Sequence, residues 1–550
     1  MTETATRDEA RLWQTFSVVG LCLGTLFFAA SLTPSLLPRA FFVQGVLSGV
    51  SLAVGYGLGV LLVWLWRYLE LPEPPHGPRY YGKLGMAAAC AAVAVFFLWK
   101  AAEWQNSIRA LMELEPVDTA HPSKVGGIAL VLFLLLVALG RGLKRLYVLV
   151  FDRLKSFVPR RVAYVLGVVL VGLIVASLVD RVLLRYALRV ADSAYAELDA
   201  LFEDGIERPS GALKTGSAGS LISWETLGRT GRSFVSGGPG SEEIAAFTGR
   251  AAKEPMRVYV GLRSADTADA RARLALEELK RIGAFDRKVM VVVAPTGTGW
   301  VDPEASVTLE YLHGGDTVMV AQQYSYLTSW LSLLIEPSYG AEAAHALFRE
   351  VYGHWTTLPV EARPELYLYG LSLGTLSSEQ STDLLNILGD PFQGALWAGP
   401  PFNSRLWSRF TAERNPGTPA WLPRYGDGSV VRFTSQKNAP DISGAQWGPL
   451  RIVYLQYASD PVVFFDPLAW YRRPAWLVDE RGPDVSPELR WYPIVTFLQL
   501  ALDMALATTA PLGYGHLYAP EHYIDAWMAV TEPDGWSDAE VERLKQALAK

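Results

Sequence analysis

At 550 residues the chain has room for two or three domains, and with 50% of its residues hydrophobic it does not read as a single soluble globule. A formal charge of −6 offers no electrostatic footprint for nucleic acid. Two cysteines, Cys22 and Cys90, exclude a Cys-rich zinc site and argue against a disulfide framework.

The apolar excess is concentrated before residue 186, in five runs: about Leu12 to Ala30, Phe42 to Leu65, Leu84 to Trp99, Gly126 to Leu139 with its flanks, and Val162 to Val179. Each is long enough, or nearly so, to cross a bilayer, the third and fourth being the weakest. Run interiors hold no Lys or Arg, and Trp64, Trp66, Trp99 and Trp104 stand near run ends as interface anchors do. No run has the central ionisable residue that marks a transport path, which argues against a transporter and for an anchor. Gly45-x-x-x-Gly49 and Gly55-x-x-x-Gly59 give the second run two small-residue faces, which serve close helix contact unless they merely reflect the frequency of glycine in membrane helices.

Basic residues resist translocation and so orient the helices. Arg67, Arg79 and Lys83 lie between runs two and three; Arg141, Lys144, Arg145, Arg153, Lys155, Arg160 and Arg161 lie between runs four and five. Placing both loops in the cytoplasm puts the chain after the fifth run outside, with Arg181, Arg185 and Arg189 pulling the other way. The predicted organisation is a multi-pass region over 1–186, a connecting segment over 187–254 lying on the soluble domain or the membrane surface, and a soluble domain over 255–550.

Beyond Pro255 strands and helices alternate: Val258 to Val260, helix Ala268 to Arg281, KVMVVVA over Lys288 to Ala294, helix Pro303 to Leu312, strand Thr317 to Gln323, helix Ala341 to Trp355 and strand Glu365 to Tyr369. Unalternated β-branched runs of this kind belong to parallel strands buried on both faces, so the predicted class is α/β with helices on both sides of a mostly parallel sheet. Ala395 to Ala398 and Arg451 to Tyr457 add later strands. Two insertions, about 399–448 (irregular) and 467–510 (partly helical), fall where such sheets build substrate pockets.

The stretch that organises this half is Pro364 to Glu379, PELYLYGLSLGTLSSE. A strand runs into Gly370-Leu371-Ser372-Leu373-Gly374 and then into a helix, which is the layout of a nucleophile elbow: Gly370 and Gly374 leave room for a sharp turn that lifts the Ser372 hydroxyl above the sheet. The N–H of Leu373 at the helix start is then a donor for a developing oxyanion. A second donor is predicted from Thr296 or Gly297, in the glycine-rich turn after the KVMVVVA strand.

A serine nucleophile needs an imidazole base, and the base needs a carboxylate. Of seven histidines, His76 and His121 fall in loops of the multi-pass region, His345 and His354 on a helix before the elbow, and His313 in a turn. His516, in the late loop GYGHLYAP, is favoured over His522, which heads HYIDAWMAV, read as the terminal helix. Asp460, just past the strand RIVYLQY, is the favoured acid; Asp466 and then Asp503 are its rivals.

These blocks resemble a family. SLTPSLLPR, SWETLGRTGR, APTGTGWVDP, the HGGDT turn with QYSYLTSW, GLSLG, LWAGPPF, YASDPVV, RGPDVSP and GHLY are together similar to the bacterial membrane-anchored α/β-hydrolases, over nearly the whole chain. The resemblance implies an α/β-hydrolase fold with a Ser-Asp-His triad on Ser372, Asp460 and His516. In that pattern a Glu often stands where this chain has Leu371, a difference in the elbow's surroundings rather than its nucleophile. The expected function is that of a membrane-anchored serine esterase or acyltransferase acting on a lipid or cell-envelope acyl ester, needing no cofactor or metal. Trp300, Tyr324, Tyr326, Trp330, Trp397, Phe402 and Trp407 are candidates for an apolar lining, and each serves equally as core. The alternative is a catalytically idle binding or assembly module on a membrane anchor; a peptidase shares the same triad chemistry.

Overall fold

The computed structural model describes residues 16–72, 79–177, 197–203, 205–327, 338–382, 387–437, 440–442 and 444–549. His76 and Trp330 lie outside them. The chain divides into two units: one takes residues 1–181, 466–477 and 483–503, the other 182–465, 478–482 and 504–550.

The first unit holds α1 (Val18–Ser31), α2 (Phe41–Tyr68), α3 (Arg79–Leu111), α4 (Pro122–Leu154) and α5 (Arg160–Ser177). Four of these, α2 to α5, are long and apolar enough to cross a membrane; α1, with 14 described residues, is shorter. The sequence pattern predicted five spans of that kind, and the first is shorter because its helix starts only at Val18, where extended Ser17 caps it by accepting the Gly20 amide at 3.2 Å. The glycine faces are used for packing. A Cβ on Gly59 would stand 2.6 Å from the Cα of Gly20, and one on Gly49 would stand 2.9 Å from the Ala129 carbonyl, so α2 presses on α1 with one face and on α4 with the other. Phe28, Leu32, Ala101, Val125 and Ala129 form the buried core at one end of this bundle.

Most of the stretch 467–510, predicted as pocket-building, belongs to this helical unit. Its helix Val495–Ala505 packs on the loop between α1 and α2. Asp503, the third-ranked acid candidate, accepts Arg39 Nη2 at 2.8 Å, Arg39 Nε at 3.0 Å and the amide of Leu36 at 3.1 Å. Both members of this pair are buried. Gln499 donates to the Thr33 carbonyl at 3.0 Å, and Gln44 and Gln105 complete the polar cluster around the loop.

The second unit is built on a seven-stranded, all-parallel sheet of β1 (Met256–Val260), β2 (Val289–Ala294), β3 (Thr317–Gln322), β4 (Glu365–Leu371), β5 (Gly394–Ala398), β6 (Val431–Thr434) and β7 (Arg451–Leu455), in the order β1-β3-β2-β4-β5-β7-β6. Strands β1 to β3 are buried along their whole length, as unalternated apolar runs require. Strand β6 lies inside the stretch predicted to be irregular; four residues, including buried Arg432 and Thr434, carry too little pattern to announce a strand. The connecting segment is part of this unit. Trp224, Leu227 and Phe234 are buried, and helix Gly228–Ser236 packs on β1, where a Cβ on Gly231 would stand 2.4 Å from the Tyr259 ring. Because β3 pairs with β2 on one side and β4 pairs with it on the other, the loops after β2 and β4 leave the sheet next to each other, at the crevice where open α/β sheets bind ligands.

Candidate active site

Strand β4 ends at Leu371, and helix Leu373–Glu379 begins two residues later. Between them Ser372 takes φ 58° and ψ −123°, a conformation that a residue bearing a Cβ adopts only when its surroundings impose it. Those surroundings are visible: the Ser372 amide donates to Ala398 O on β5 at 3.0 Å, and Thr375 Oγ1 bonds Gly370 O at 2.8 Å and Ala398 O at 2.7 Å. The flanking glycines are required by space. A Cβ at Gly370 would lie 2.4 Å from the Gly374 carbonyl group, and one at Gly374 would lie 2.1 Å from Ala294 O at the end of β2.

After β7 the chain turns at Asp460, which is fully buried and caps the short helix Pro461–Phe464. Its Oδ1 accepts the amides of Val462 at 2.8 Å and Val463 at 3.4 Å. Its Oδ2 accepts His516 Nδ1 at 2.7 Å and the Tyr518 hydroxyl at 2.6 Å. With the carboxylate accepting throughout, Nδ1 is the donor and Nε2 carries the lone pair, the tautomer a general base needs. Nε2 is buried and has no hydrogen-bond partner among the described residues, so Ser372 Oγ is not bonded to it here; catalytic bonds of this kind are often long until substrate binds. The two side chains flank one strand end. Ser372 bonds Ala398, and the next residue, Gly399, lies under the imidazole at φ +52°, where a Cβ would stand 2.6 Å from His516 Cε1.

The rival candidates have other partners. His522 pairs with the Tyr457 hydroxyl in the core, and burial pushes its pKa down to about 4. His313 bonds Thr531 Oγ1 at 2.8 Å and is likewise lowered by burial to about 4. His345 meets Ser381 O, and His354 packs edge-on to Phe285. Asp466 accepts the Leu468 amide in a turn of the helical unit. The Thr296 amide donates to Trp300 O at 3.0 Å, so of the two residues predicted for the second oxyanion donor, Thr296 has its N–H spent inside its own turn. Gly297 stays in that turn, and Leu373 opens a helix directly after the serine. Trp397 and Trp407 are core residues bonded to Ser378 and Gln456; Trp300 is 38% exposed.

Three contributors went unnoticed in the sequence: Gly399, Tyr518 and Asp302. The first two lie in LWAGPPF and GHLY, and a tyrosine two residues past a candidate base was the available signal. Asp302 caps helix Pro303–Leu312 through the Glu304 amide and accepts the Tyr523 hydroxyl at 2.8 Å, which in turn meets Tyr369 at 3.0 Å. Burial pushes its carboxyl up to about 7, and His516 is close enough to act on it. Among the described residues no three His, Cys, Asp or Glu side chains form a metal-binding group.

Raising a buried acid's pKa makes the folded chain hold a proton that the unfolded chain releases, so Asp302 costs stability progressively as pH rises from about 4 to about 7. Asp302→Asn keeps an oxygen for the helix cap and removes that cost. The difference in melting temperature, variant minus wild type, is expected to grow in favour of the variant across this window; a difference that stays constant with pH would refute the assignment.

Family models match the chain in two consecutive stretches: residues 256–544 match an α/β-hydrolase family, and residues 32–239 match the N-terminus of an α/β-hydrolase family. No curated protein and no solved structure matches the chain significantly.

Proposed function

Since the chain belongs to the α/β-hydrolase family, we propose that it is a membrane-anchored serine hydrolase or acyltransferase acting on acyl esters of lipid or cell-envelope origin. The observation that carries this reading is the 2.7 Å bond between His516 and Asp460, with the imidazole's free nitrogen beside the strand end that also fixes the strained Ser372. In the mechanism, Ser372 attacks the ester carbonyl while His516 Nε2 takes its proton; Asp460 stabilises the imidazolium. The Leu373 amide receives the oxyanion, with a second donor proposed from the Thr296–Gly297 turn. His516 then protonates the departing alcohol, leaving an acyl-serine that water or a second hydroxyl resolves.

The four long apolar helices support a membrane tether, which favours substrates concentrated at a bilayer. The basic loops between α2 and α3 and between α4 and α5 support an extracytoplasmic hydrolase domain. Purified protein is expected to hydrolyse chromogenic acyl esters and to react with a fluorophosphonate probe. A well-folded preparation that does neither sinks the proposal. Lipid and envelope profiling of a Ser372→Ala strain names the substrate class by what accumulates.

Gly399 provides a specific check on the base. Gly399→Ala inserts a methyl group into the space of the imidazole, and at positive φ the strain adds about 1 kcal/mol. Activity is expected to fall about a hundredfold or more, since small displacements of a positioned base cost that much, while strain and overpacking lower the melting temperature by only several degrees. Unaltered activity would show that His516 is not the base.

A further inference from the structure

The helical unit carries a small exposed aromatic and basic turn. In Pro467–Arg473, Trp470 is 51% and Tyr471 is 52% exposed, and Leu468, Arg472 and Arg473 are exposed beside them. The turn is held firmly. Ile494 N donates to Trp470 O at 2.9 Å, Trp491 Nε1 donates to Ala469 O at 2.8 Å, and Ile494 itself sits at φ 65°, a strained value for a β-branched residue. The residues that follow are fastened to one end of the helix bundle. Asp503 pairs with Arg39, Gln499 with Thr33, and Ser486 with Ser107 of α3 at 2.8 Å. That end is where α1 and α3 finish and α2 and α4 begin, the level at which membrane helices meet headgroups.

We propose that the turn Pro467–Arg473 is a bilayer-interface anchor: Trp470 and Tyr471 enter the boundary between headgroups and acyl chains, while Arg472 and Arg473 take the phosphates of anionic phospholipids. The proposal rests on reading α2 to α5 as membrane spans. Its chemistry is that of the aromatic belt, in which amphipathic rings settle at the headgroup level, joined to the attraction of basic side chains for an anionic surface. Continuity with the spans selects a lipid occupant, since the turn belongs to the same unit and is fixed to the same helix ends.

The test uses full-length protein in nanodiscs of phosphatidylcholine, with or without phosphatidylglycerol, carrying the photoreactive residue p-benzoylphenylalanine in place of Trp470 or Tyr471. Adducts are identified by mass spectrometry. Position 173 on α5, where Leu173 is 61% exposed, reports a spanning helix, and position 427, in an exposed turn of the other unit, reports solvent. Positions 470 and 471 are expected to yield phospholipid adducts at a level near that of 173 and well above 427. Arg472→Glu with Arg473→Glu is expected to lower the phosphatidylglycerol adduct by about fivefold or more relative to phosphatidylcholine. Lipid adducts at 173 with none at 470 and 471 overturn the anchor and leave the spans standing; none at all three positions overturns both. Crosslinks from 470 or 471 to protein, whether a second copy or the same chain, also overturn the anchor. Fluorophosphonate labelling of the same samples reports separately on the hydrolase reading.

Discussion

Ser372→Ala is expected to abolish fluorophosphonate labelling and to lower ester hydrolysis by about 10,000-fold, while the melting temperature stays within a few degrees of wild type. The size follows from what the hydroxyl alone does: it forms the covalent bond, and no other described side chain sits at an equivalent strained elbow. Stability is spared because the fold at this point is carried by backbone and by Thr375, whose hydroxyl bridges Gly370 O and Ala398 O. Removing the strain of φ 58° is not achieved by alanine, which keeps a Cβ. His516→Gln is expected to match the serine variant closely, because nucleophile and base act as one unit and their losses do not add. Asp460→Asn is expected to cost about 1,000-fold, by allowing the wrong tautomer of His516. Tyr518→Phe is expected to cost less than about tenfold, since the carboxylate keeps its bonds to His516, Val462 and Val463. Retained labelling in Ser372→Ala would place the nucleophile elsewhere and end the triad account.

The second large effect lies in the helical unit. Arg39→Met or Asp503→Leu alone is expected to destabilise the full-length protein by about 3 to 5 kcal/mol, because each leaves one buried charge without its partner. The double variant Arg39→Met/Asp503→Leu is expected to recover most of that loss, since replacing both members of a buried pair by apolar side chains of similar volume is often near neutral. Thermal unfolding of the four proteins in detergent or nanodiscs measures the coupling directly. Additive losses would mean that the two side chains do not support one another. Because helix Val495–Ala505 is held to the loop before α2 through this pair, protease cleavage within 483–503 is expected to speed up in either single variant and to return toward wild type in the double.

Local pattern was enough for every strand of the sheet but β6 and for the strand-turn-helix around Ser372. Helices Ala268–Arg281 and Pro303–Leu312 have the limits that capping by Thr267 and Asp302 dictates, and the β-branched strands follow from burial on both faces. Gly-x-Ser-x-Gly between a strand and a helix is legible because its constraint is local: the turn excludes a Cβ at Gly370 and Gly374. Where a group's role depends on a partner distant along the chain, place in the sequence can rank candidates, as it did Asp460, but cannot name the partner. Asp460 and Asp503 are both buried carboxylates, yet one meets His516 and the other meets Arg39, 464 positions upstream. The tertiary structure also decided that most of 467–510 packs with the helical unit, that the amide of Thr296 is consumed in its own turn, and that β6 exists at all. The physical reason is the same in each case. Periodicity and turn chemistry act over a few residues and survive in the one-dimensional record, whereas desolvation and ion pairing are settled by whatever the folded chain brings alongside.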